Sequence, residues 1–413
     1  MSIGQYFHRL HRALIQLWFW DVWVVRPAYP LSWRYLLPGQ APNVQRHRRL
    51  WWHSRYKLPG LLWLPLECLR WLAWQLWLGP KSLRLALASN AAEVEQRFGI
   101  AQNVQRRQLA YWMRAWCIDP FEAYDWQLYR PDKDGLALIF TGETSAFHRL
   151  QNRKSGATNA DHRLLGDKLA LANGLKEQGI PMVPTQTVSH GEAKDLVEAL
   201  AGGHGLFCKL RSGNQGDSAF ACWANENTVE GETLHGTPLP DRSAVMAQWQ
   251  RLCRKGPVLI QPLLLCHADL ANVCAGPAVP VLRLVTRLQS GSIMPWWAEL
   301  QVPEKPAAGK QRGFWRFPVT VAEGAVSAMA PEWLLRQSWQ NQYDALAKEV
   351  CSHVPDWQTI LANSIKAHSA MPKLWAVAWD WVLTPEGPVL LEGNGGWGLR
   401  ELQHQQMIME TLQ

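Results

Sequence analysis

A short segment near the C-terminus, from Trp379 to Asn394, constrains this chain more than any other part of its sequence. Its pattern is typical of two β-strands joined by a Pro-Glu-Gly turn. Such a turn folds Asp380 back toward Glu392, while Glu392 and Asn394, two positions apart on one strand, point to the same face. Two carboxylates and an amide oxygen on one surface suit Mg²⁺, which usually takes substrate phosphates to complete its coordination. We therefore predict a β-hairpin that carries a magnesium site.

The basic character of the chain is confined to its beginning. The 413 residues carry a net charge of +8, and residues 1–57 alone contain nine Lys and Arg against one acidic residue, Asp21. The rest of the chain has 33 basic and 33 acidic residues and is neutral. A nucleic-acid-binding role for the whole protein is therefore not expected. With 47% hydrophobic and 18% charged residues, the chain is typical of an ordered globular protein of two or three domains.

The cysteines and the N-terminal residues indicate where the protein works. The 8 cysteines are scattered without a CxxC pair, so we expect no zinc site and a reducing cytoplasm. The stretch Ala13 to Val25 is apolar, but Asp21 interrupts it and no small-residue cleavage site follows. It is therefore a poor signal peptide.

Residues 1–130 are rich in Trp and Arg and have a mainly helical pattern. The most apolar stretch, Leu58 to Leu78, is interrupted by Pro59 and Pro65, which makes a membrane-spanning helix the less favoured interpretation. Two alternatives stay open. Together with the basic run from Arg46 to Trp52, the stretch suits a segment lying in the interface of an anionic membrane. It equally suits a buried helix of a helical domain, with the arginines as a solvated surface.

From about residue 135 the pattern changes to alternating strands and helices. The predicted elements, in chain order, are a buried strand Ala137–Phe140, a helix opened by Asp167-Lys168 and running through Gln178, strands Leu206–Leu210 and Ala219–Trp223 around a Gly213–Ser218 loop, strands Val258–Pro262 and Val281–Leu288, a helix around Trp357–His368, and the hairpin.

Four polar residues in this part have two interpretations each. Lys209, at the end of a strand and just before the Gly213–Ser218 loop, suits phosphate binding, although the loop equally fits an ordinary hairpin turn. Lys168 in the first turn of a helix either reaches a ligand or is simply exposed. Gln261 closes an apolar strand and either lines a purine pocket or marks the strand end. Arg283 alternates with apolar residues and points either into a cleft or to solvent.

The order of these features resembles the nucleotide site of the ATP-grasp superfamily. The resemblance covers residue 135 to the end and is closest to the sugar-transfer-associated ATP-grasp proteins. It implies an α+β fold in which two α+β lobes clasp a nucleotide, preceded by the helical Trp- and Arg-rich region. We expect domain boundaries at 1–130, 131–255 and 256–413. The segments that carry the resemblance are Asp167-Lys168, Gln261-Pro262, His267–Leu270, Leu282–Thr286 and Trp379–Asn394.

The resemblance also implies a role for each candidate residue, with ATP and Mg²⁺ as cofactors. Lys168 and Lys209 would contact the nucleotide phosphates, and Arg283 would stabilise an acyl phosphate. The remaining implied roles are a loop over the phosphates from Gly213, Gly216 and Ser218, adenine contacts from Gln261 and the backbone of Leu263, a ribose or acceptor contact from Asp269 or His267, and magnesium ligands from Asp380, Glu392 and Asn394.

The implied activity is an ATP-dependent carboxylate–amine or carboxylate–thiol ligase. Its partners would be a small-molecule carboxylate and an amine or thiol acceptor, free or linked to a glycan or lipid at the inner membrane face. Where the family has a glycine-rich segment after Arg283, this chain has Val302–Pro306 and a basic run, Lys310–Gly313, so the acceptor site departs from the pattern. Two alternatives are a phosphotransferase acting on a sugar or lipid hydroxyl, and a membrane-associated scaffold that binds nucleotide without catalysis.

Overall fold

The computed structural model describes Pro30 and residues 32–54, 63–203, 205–213, 219–225, 228–305 and 312–404. The chain divides into two compact units. The first, called here the helical unit, consists of Met1–Leu150, Ala330–Asn341 and Gly398–Gln413. The second, called here the sheet unit, consists of Gln151–Met329 and Gln342–Trp397.

The helices of the described residues follow one another along the chain with short connections. They are α1 (Pro42–Ser54), α2 (Trp63–Ala73), a π-helical turn (Trp74–Leu78), α3 (Gly79–Phe98), α4 (Gln102–Trp116), α5 (Pro120–Asp125), α6 (Thr144–Ser155), α7 (Asn159–Gly166), α8 (Lys168–Glu177), α9 (Ala193–Leu200), α10 (Arg242–Cys253), α11 (Gln337–Ala347), α12 (Trp357–Ser369) and α13 (Arg400–His404). Short 3₁₀ turns occupy Trp33–Leu36, Gly135–Ala137, Thr141–Glu143, Ala268–Val273 and Pro331–Trp333.

The helical unit has an aromatic core into which α1 inserts one face. Val44, Leu50 and Trp51 of α1 are buried, whereas Arg48 and Arg49 are exposed. The run of arginines is thus the solvated side of a packed helix, as one of the two sequence-based alternatives expected for this segment. No helix among the described residues has both the length and the apolar character needed to cross a bilayer.

A buried histidine joins α1 to the end of this unit's core. Nδ1 of His47 lies 2.8 Å from Oε1 of Glu143, and its Nε2 lies 3.1 Å from the carbonyl oxygen of Leu136. The imidazole stacks between the rings of Tyr35 and Phe140. Both ring nitrogens therefore have a polar partner, as a buried imidazole requires.

The predicted strand Ala137–Phe140 is wrong. The chain forms a 3₁₀ turn at Gly135–Ala137 and then runs extended without a sheet neighbour. The side chain of Gln403 takes the place of that neighbour, because its Oε1 accepts from the N–H of Ile139 at 2.5 Å and its Nε2 donates to the Ile139 carbonyl at 2.8 Å. One amide side chain thus satisfies the backbone of a buried residue that a strand would otherwise have paired.

The sheet unit contains two antiparallel sheets, and the other predicted strands belong to them. The first sheet has the order β1-β6-β2-β3-β4-β5, and the second has the order β11-β10-β7-β8-β9. The strands are β1 (Thr187–Ser189), β2 (Leu206–Leu210), β3 (Phe220–Ala224), β4 (Val229–Thr233), β5 (Pro238–Leu239), β6 (Val258–Pro262), β7 (Val281–Gln289), β8 (Ser292–Pro303), β9 (Phe314–Val319), β10 (Ala376–Thr384) and β11 (Gly387–Asn394).

The hairpin is formed by β10 and β11, and its alternation decides which side chains reach the site. Trp379 and Trp381 point toward the packed side, where their indole N–H groups donate to Oγ1 of Thr286 at 2.8 Å and to Oγ of Ser364 at 3.0 Å. Because successive side chains of a strand alternate, Asp380 between them points to the opposite face. The hydroxyls of β7 and α12 thereby fix the face on which the carboxylate appears.

Candidate active site

Four charged residues lie side by side on one face of the second sheet. Glu392 of β11 stands opposite Asp380 of β10, Asp380 stands opposite Arg283 of β7, and Arg283 stands opposite Glu299 of β8. Directly opposed residues of antiparallel strands share a face and lie about 5 Å apart. The strand register therefore builds a row of alternating charges across four strands.

Asp380 and Arg283 form a bidentate ion pair in the middle of this row. Nε of Arg283 donates to one carboxylate oxygen at 2.8 Å, and Nη2 donates to the other at 2.9 Å. Asp380 is 6% exposed, and its burial raises the pKa of the carboxyl, an effect that the guanidinium opposes. Sequence analysis treated Asp380 as a carboxylate that needs a metal ion for compensation, whereas Arg283 already compensates its charge.

Asn394 brings the hairpin carboxylates together. Its Nδ2 lies 2.9 Å from Oδ2 of Asp380 and 3.4 Å from Oε1 of Glu392. The intervening Gly393 is required there, because an added Cβ would lie 2.6 Å from the ring of Trp379 and 2.8 Å from Leu165. The three predicted metal ligands are therefore adjacent.

These three side chains fit a Mg²⁺ ion by chemistry. Two carboxylates and an amide make a hard oxygen donor set, provided that the amide of Asn394 turns its oxygen toward the carboxylates. Among the described residues no group of three or more His, Cys, Asp or Glu is arranged to hold a metal. The amide would thus supply the third ligand, and other oxygens would come from substrate phosphates.

Lys168 faces this hairpin from the first turn of α8. Its Nζ donates to the carbonyl oxygen of Gly213 at 2.7 Å and lies 3.7 Å from Oε2 of Glu392. The helix begins there because the carboxylate of Asp167 caps it, accepting from the N–H groups of Leu169 and Ala170 at 3.2 Å. One lysine thus contacts both the start of the glycine loop and a predicted metal ligand.

Lys209 lies on β2 and is half-buried. Burial lowers the pKa of its ammonium group and Lys168 lowers it further, while the carboxylates of Glu392 and Asp380 oppose the shift. The lysine is therefore within electrostatic range of the same carboxylates. The two predicted phosphate-binding lysines and the hairpin carboxylates form one cluster between the two sheets of the sheet unit.

Arg211 has a positioning contact that sequence analysis missed. Its Nε and Nη2 donate to the two carboxylate oxygens of Asp167 at 2.9 and 2.6 Å, and its carbonyl accepts from the N–H of Lys168 at 3.1 Å. These bonds tie the end of β2 to the start of α8 and lower the pKa of the Asp167 carboxyl. The two residues are 44 positions apart, and the only sequence signal was that Asp167 begins a helix.

The buried end of the charged row was also missed. Glu299 is 3% exposed, and its Oε1 accepts from Nε2 of Gln301 at 2.5 Å and lies 3.5 Å from Nε of Arg316. A buried carboxylate beside Arg283 in the strand register extends the ionic row away from the hairpin. Its alternation with apolar neighbours on β8 resembled an ordinary strand, so no local pattern distinguished it.

The predicted adenine and ribose contacts are placed less directly. Gln261 is buried on β6 and donates from Nε2 to Oγ1 of Thr185 at 3.1 Å, and the N–H of Leu263 donates to the carbonyl of Gly205 at 2.7 Å. Asp269 is exposed, and its N–H donates to Nδ1 of His267 at 3.2 Å. These residues keep their roles only as predictions.

Two further predicted segments lie partly outside the described residues. Gly216 and Ser218 of the glycine loop are not described, whereas Gly213 is. Of the basic run Lys310–Gly313, Arg312 is described and is buried. It pairs with Glu232 of β4, and its Nε donates to the carbonyl of Glu304 at 3.2 Å. This arginine therefore joins the two sheets of the unit.

Lysines on one antiparallel sheet that face a carboxylate hairpin on another define the class of ATP-grasp proteins that the sequence resembled. A family model described as sugar-transfer-associated ATP-grasp matches residues 146–413. The chain belongs to this family. The family assignment confirms the expected fold and, at a coarse level, the expected ATP-dependent ligase.

Solved structures of similar fold are distant from this chain. The ATP-grasp ligase PsnB complexed with a minimal precursor is 11% identical, with a TM-score of 0.34 over 60% of this chain and 57% of that one. D-alanyl-alanine synthetase A from Vibrio cholerae is 10% identical, with a TM-score of 0.40 over 66% of this chain and 68% of that one. The chain thus spans little more than half the length of PsnB. A comparison with curated protein sequences finds no match.

Proposed function

We propose that the protein is a carboxylate–amine or carboxylate–thiol ligase that works through an acyl phosphate. The observation that carries the proposal is the cluster of Lys168 and Lys209 with Glu392 and the ion-paired Asp380. Cations that face carboxylates across a cleft suit a triphosphate and its Mg²⁺, because each negative oxygen then meets a positive charge.

The proposed reaction has two steps. A carboxylate oxygen of the first substrate attacks the γ-phosphorus of ATP, and the bond to the β-phosphate oxygen breaks to release ADP. The nitrogen or sulfur of the acceptor then attacks the acyl carbon, inorganic phosphate leaves, and the acceptor loses a proton. Both steps rest on positioning and charge neutralisation and need no nucleophile from the protein.

Each residue of the cluster has a proposed task in this scheme. Lys168 and Lys209 hold phosphate oxygens, with the loop from Gly213 covering them. Glu392, Asn394 and Asp380 hold Mg²⁺, which would supply charge neutralisation between the phosphates. Arg283 stays anchored on Asp380 and directs its guanidinium toward the negative charge that develops on the acyl phosphate. Gln261 and Leu263 contact the adenine, and Asp269 the ribose or the acceptor.

The acceptor is proposed to be linked to a sugar, glycan or lipid at the inner membrane face. The family description, sugar-transfer-associated, supports the first part of this proposal. The concentration of positive charge in residues 1–57 supports the second, because anionic lipid surfaces attract basic segments.

The proposal is tested by measuring ADP release with panels of amino acids, sugar acids and amine or thiol acceptors. Glu392→Ala and Lys209→Ala should each lower turnover at least a hundredfold, because each removes a charge that faces the phosphates. Glu386→Ala, in the turn of the same hairpin, is the matched control and should retain turnover. Wild-type turnover in either site variant would contradict the assignment.

Hydroxylamine separates ligation from phosphoryl transfer to a hydroxyl group. An acyl phosphate is trapped as a hydroxamate, whereas a phosphorylated hydroxyl gives none. Hydroxamate should accumulate with the carboxylate substrate alone. ADP release without hydroxamate would favour the phosphotransferase, and failure to bind Mg-ATP in calorimetry would favour the non-catalytic scaffold.

A further inference from the structure

The segment from α2 into the π-helical turn is inverted relative to an ordinary amphipathic helix. Its charged residues face inward, where Nη1 of Arg70 donates to Oε1 of Glu67 at 2.9 Å. Both side chains are almost fully buried, at 4% and 8% exposure. Its apolar residues face outward and form what we call the apolar stripe: Leu69, Leu72, Leu76 and Trp77, exposed by 62%, 45%, 79% and 67%.

The packing of the opposite side fixes this orientation. Nε1 of Trp74 donates to the carbonyl of Met113 at 2.9 Å, and Nε2 of Gln75 donates to the carbonyl of Arg114 at 2.9 Å. Trp74 also packs against Met113 and Cys117 in a small buried cluster. The helix cannot rotate its apolar side inward without breaking these bonds to α4. Contiguous exposed apolar side chains on a soluble surface mark an interaction site.

The charges around the apolar stripe are basic. Lys81 and Arg84 follow it on α3 and are exposed, and Arg114 lies beside it, since its carbonyl bonds Gln75. The neighbouring acid, Asp119, is engaged by the hydroxyl of Ser82 at 2.9 Å and caps α5. Apolar side chains bordered by Lys and Arg fit a surface that is apolar below and negative above, which is the interface of an anionic bilayer.

We propose that the apolar stripe docks the protein on an anionic membrane surface, with Lys81, Arg84 and Arg114 at the lipid headgroups. The four side chains enter the boundary between headgroups and acyl chains, and the helix lies along the membrane plane. The inference deepens the membrane part of the proposed function and rests on it. It is independent of the ligase chemistry.

The test is co-sedimentation of the full chain with phosphatidylcholine vesicles, with and without 30 mol% phosphatidylglycerol. We expect binding that depends on the anionic lipid and weakens with salt. The stripe variant Leu72→Ser/Leu76→Ser/Trp77→Ser should bind at least tenfold more weakly. The matched control Leu265→Ser/Met294→Ser/Trp339→Ser removes exposed apolar side chains elsewhere and should bind as the wild type does.

A charge variant and a fluorescent label give independent readouts. Lys81→Gln/Arg84→Gln/Arg114→Gln should lose the preference for phosphatidylglycerol while retaining its circular dichroism spectrum. Cys68 is exposed beside the apolar stripe. An environment-sensitive dye attached there should shift to the blue on anionic vesicles, and a Cys68→Ser protein should give no such signal.

The outcomes separate this inference from the proposals on which it depends. Equal vesicle binding by the stripe variant would overturn the docking surface but leave membrane association intact. Absence of wild-type binding would overturn both. A wild-type dimer that the stripe variant converts to a monomer would assign the stripe to a second copy of the chain. ADP release in solution should be unchanged in the stripe variant, so a failed ligase assay says nothing against docking.

Discussion

At the residue scale, Asp380 shares its carboxylate between two kinds of positive charge. Both of its oxygens already accept from Arg283, and Asn394 donates to one of them. A metal ion at this carboxylate therefore joins an existing ion pair. The planar fork of a guanidinium can engage both oxygens at once, which an ammonium group cannot do.

Replacing Arg283 by lysine should separate charge from geometry. The charge remains, but one of the two hydrogen bonds to Asp380 is lost, so we expect kcat to fall at least tenfold while the KM for ATP changes less. Steady-state ADP release measures both constants. Arg287→Lys is the control on the same strand, because Arg287 lies over the ring of Trp296. Equal effects of the two changes would argue against a special role for Arg283.

The sequence predicted one kind of proximity in the site and missed another. Asp380, Glu392 and Asn394 meet because a short turn and a period of two determine their positions, and both are visible locally. The pair of Arg211 with Asp167 joins segments 44 positions apart, and either residue alone is an ordinary charged residue. Long-range ion pairs leave no periodic trace, so only the folded chain reveals them.

At the scale of single elements, the hairpin depends on a glycine. The ring of Trp379 is anchored on Thr286, so it cannot move away from a Cβ added at Gly393. We expect Gly393→Ala to destabilise the protein by about 1–3 kcal/mol in urea unfolding, the usual cost of overpacking. Gly174→Ala in α8 is the control, because its Cβ would contact nothing within 4 Å. That change should be neutral or stabilising.

The contact between α12 and the second sheet makes stability depend on pH. His368 accepts from Thr286 at 2.8 Å through Nδ1 and donates to the carbonyl of Leu374 at 3.0 Å through Nε2. Burial lowers its pKa from 6.5 to about 4. The unfolded chain therefore takes up a proton below pH 6.5 while the folded chain does not, so stability is lost as the pH falls toward 4.

The size of this loss follows from the shift of the His368 pKa. A shift of this size corresponds to about 3 kcal/mol between pH 7 and pH 4. Denaturant unfolding across that range measures it, and His368→Gln should remove this part of the pH dependence while lowering stability at pH 7. An unchanged slope in the variant would assign the pH dependence to other groups.

Element types were predictable wherever pattern and partner agreed. The strands β2, β6 and β7 and the helices α8 and α12 combine the appropriate period with clear ends, and the structure has them within two residues of the expected bounds. The segment Ala137–Phe140 has the apolar character of a strand but no neighbouring strand. Gln403, 264 positions away, satisfies its backbone, and the composition of a four-residue segment contains no information about such a partner.

At the scale of the whole molecule, Mg-nucleotide should stabilise the folded chain. A ligand at one hundred times its Kd raises the free energy of unfolding by about 2.7 kcal/mol. Thermal unfolding of the full chain with Mg-ADP should therefore occur several degrees higher than without it, and chelation with EDTA should reverse most of the shift. Glu392→Ala should abolish the shift, whereas Glu386→Ala should keep it. An equal shift in both variants would place the nucleotide elsewhere.

The contacts of Lys168 and Arg283 have a consequence for the order of loading. Each hairpin carboxylate has a counter-ion within the protein, Arg283 for Asp380 and Lys168 for Glu392. The resting site is thus electrically balanced, and a bare Mg²⁺ ion gains little by entering it. A nucleotide changes that balance, because its phosphates draw Lys168 away from Glu392 and leave a negative charge for the metal. Metal and nucleotide should therefore load together, and Mg²⁺ alone should leave the unfolding temperature unchanged.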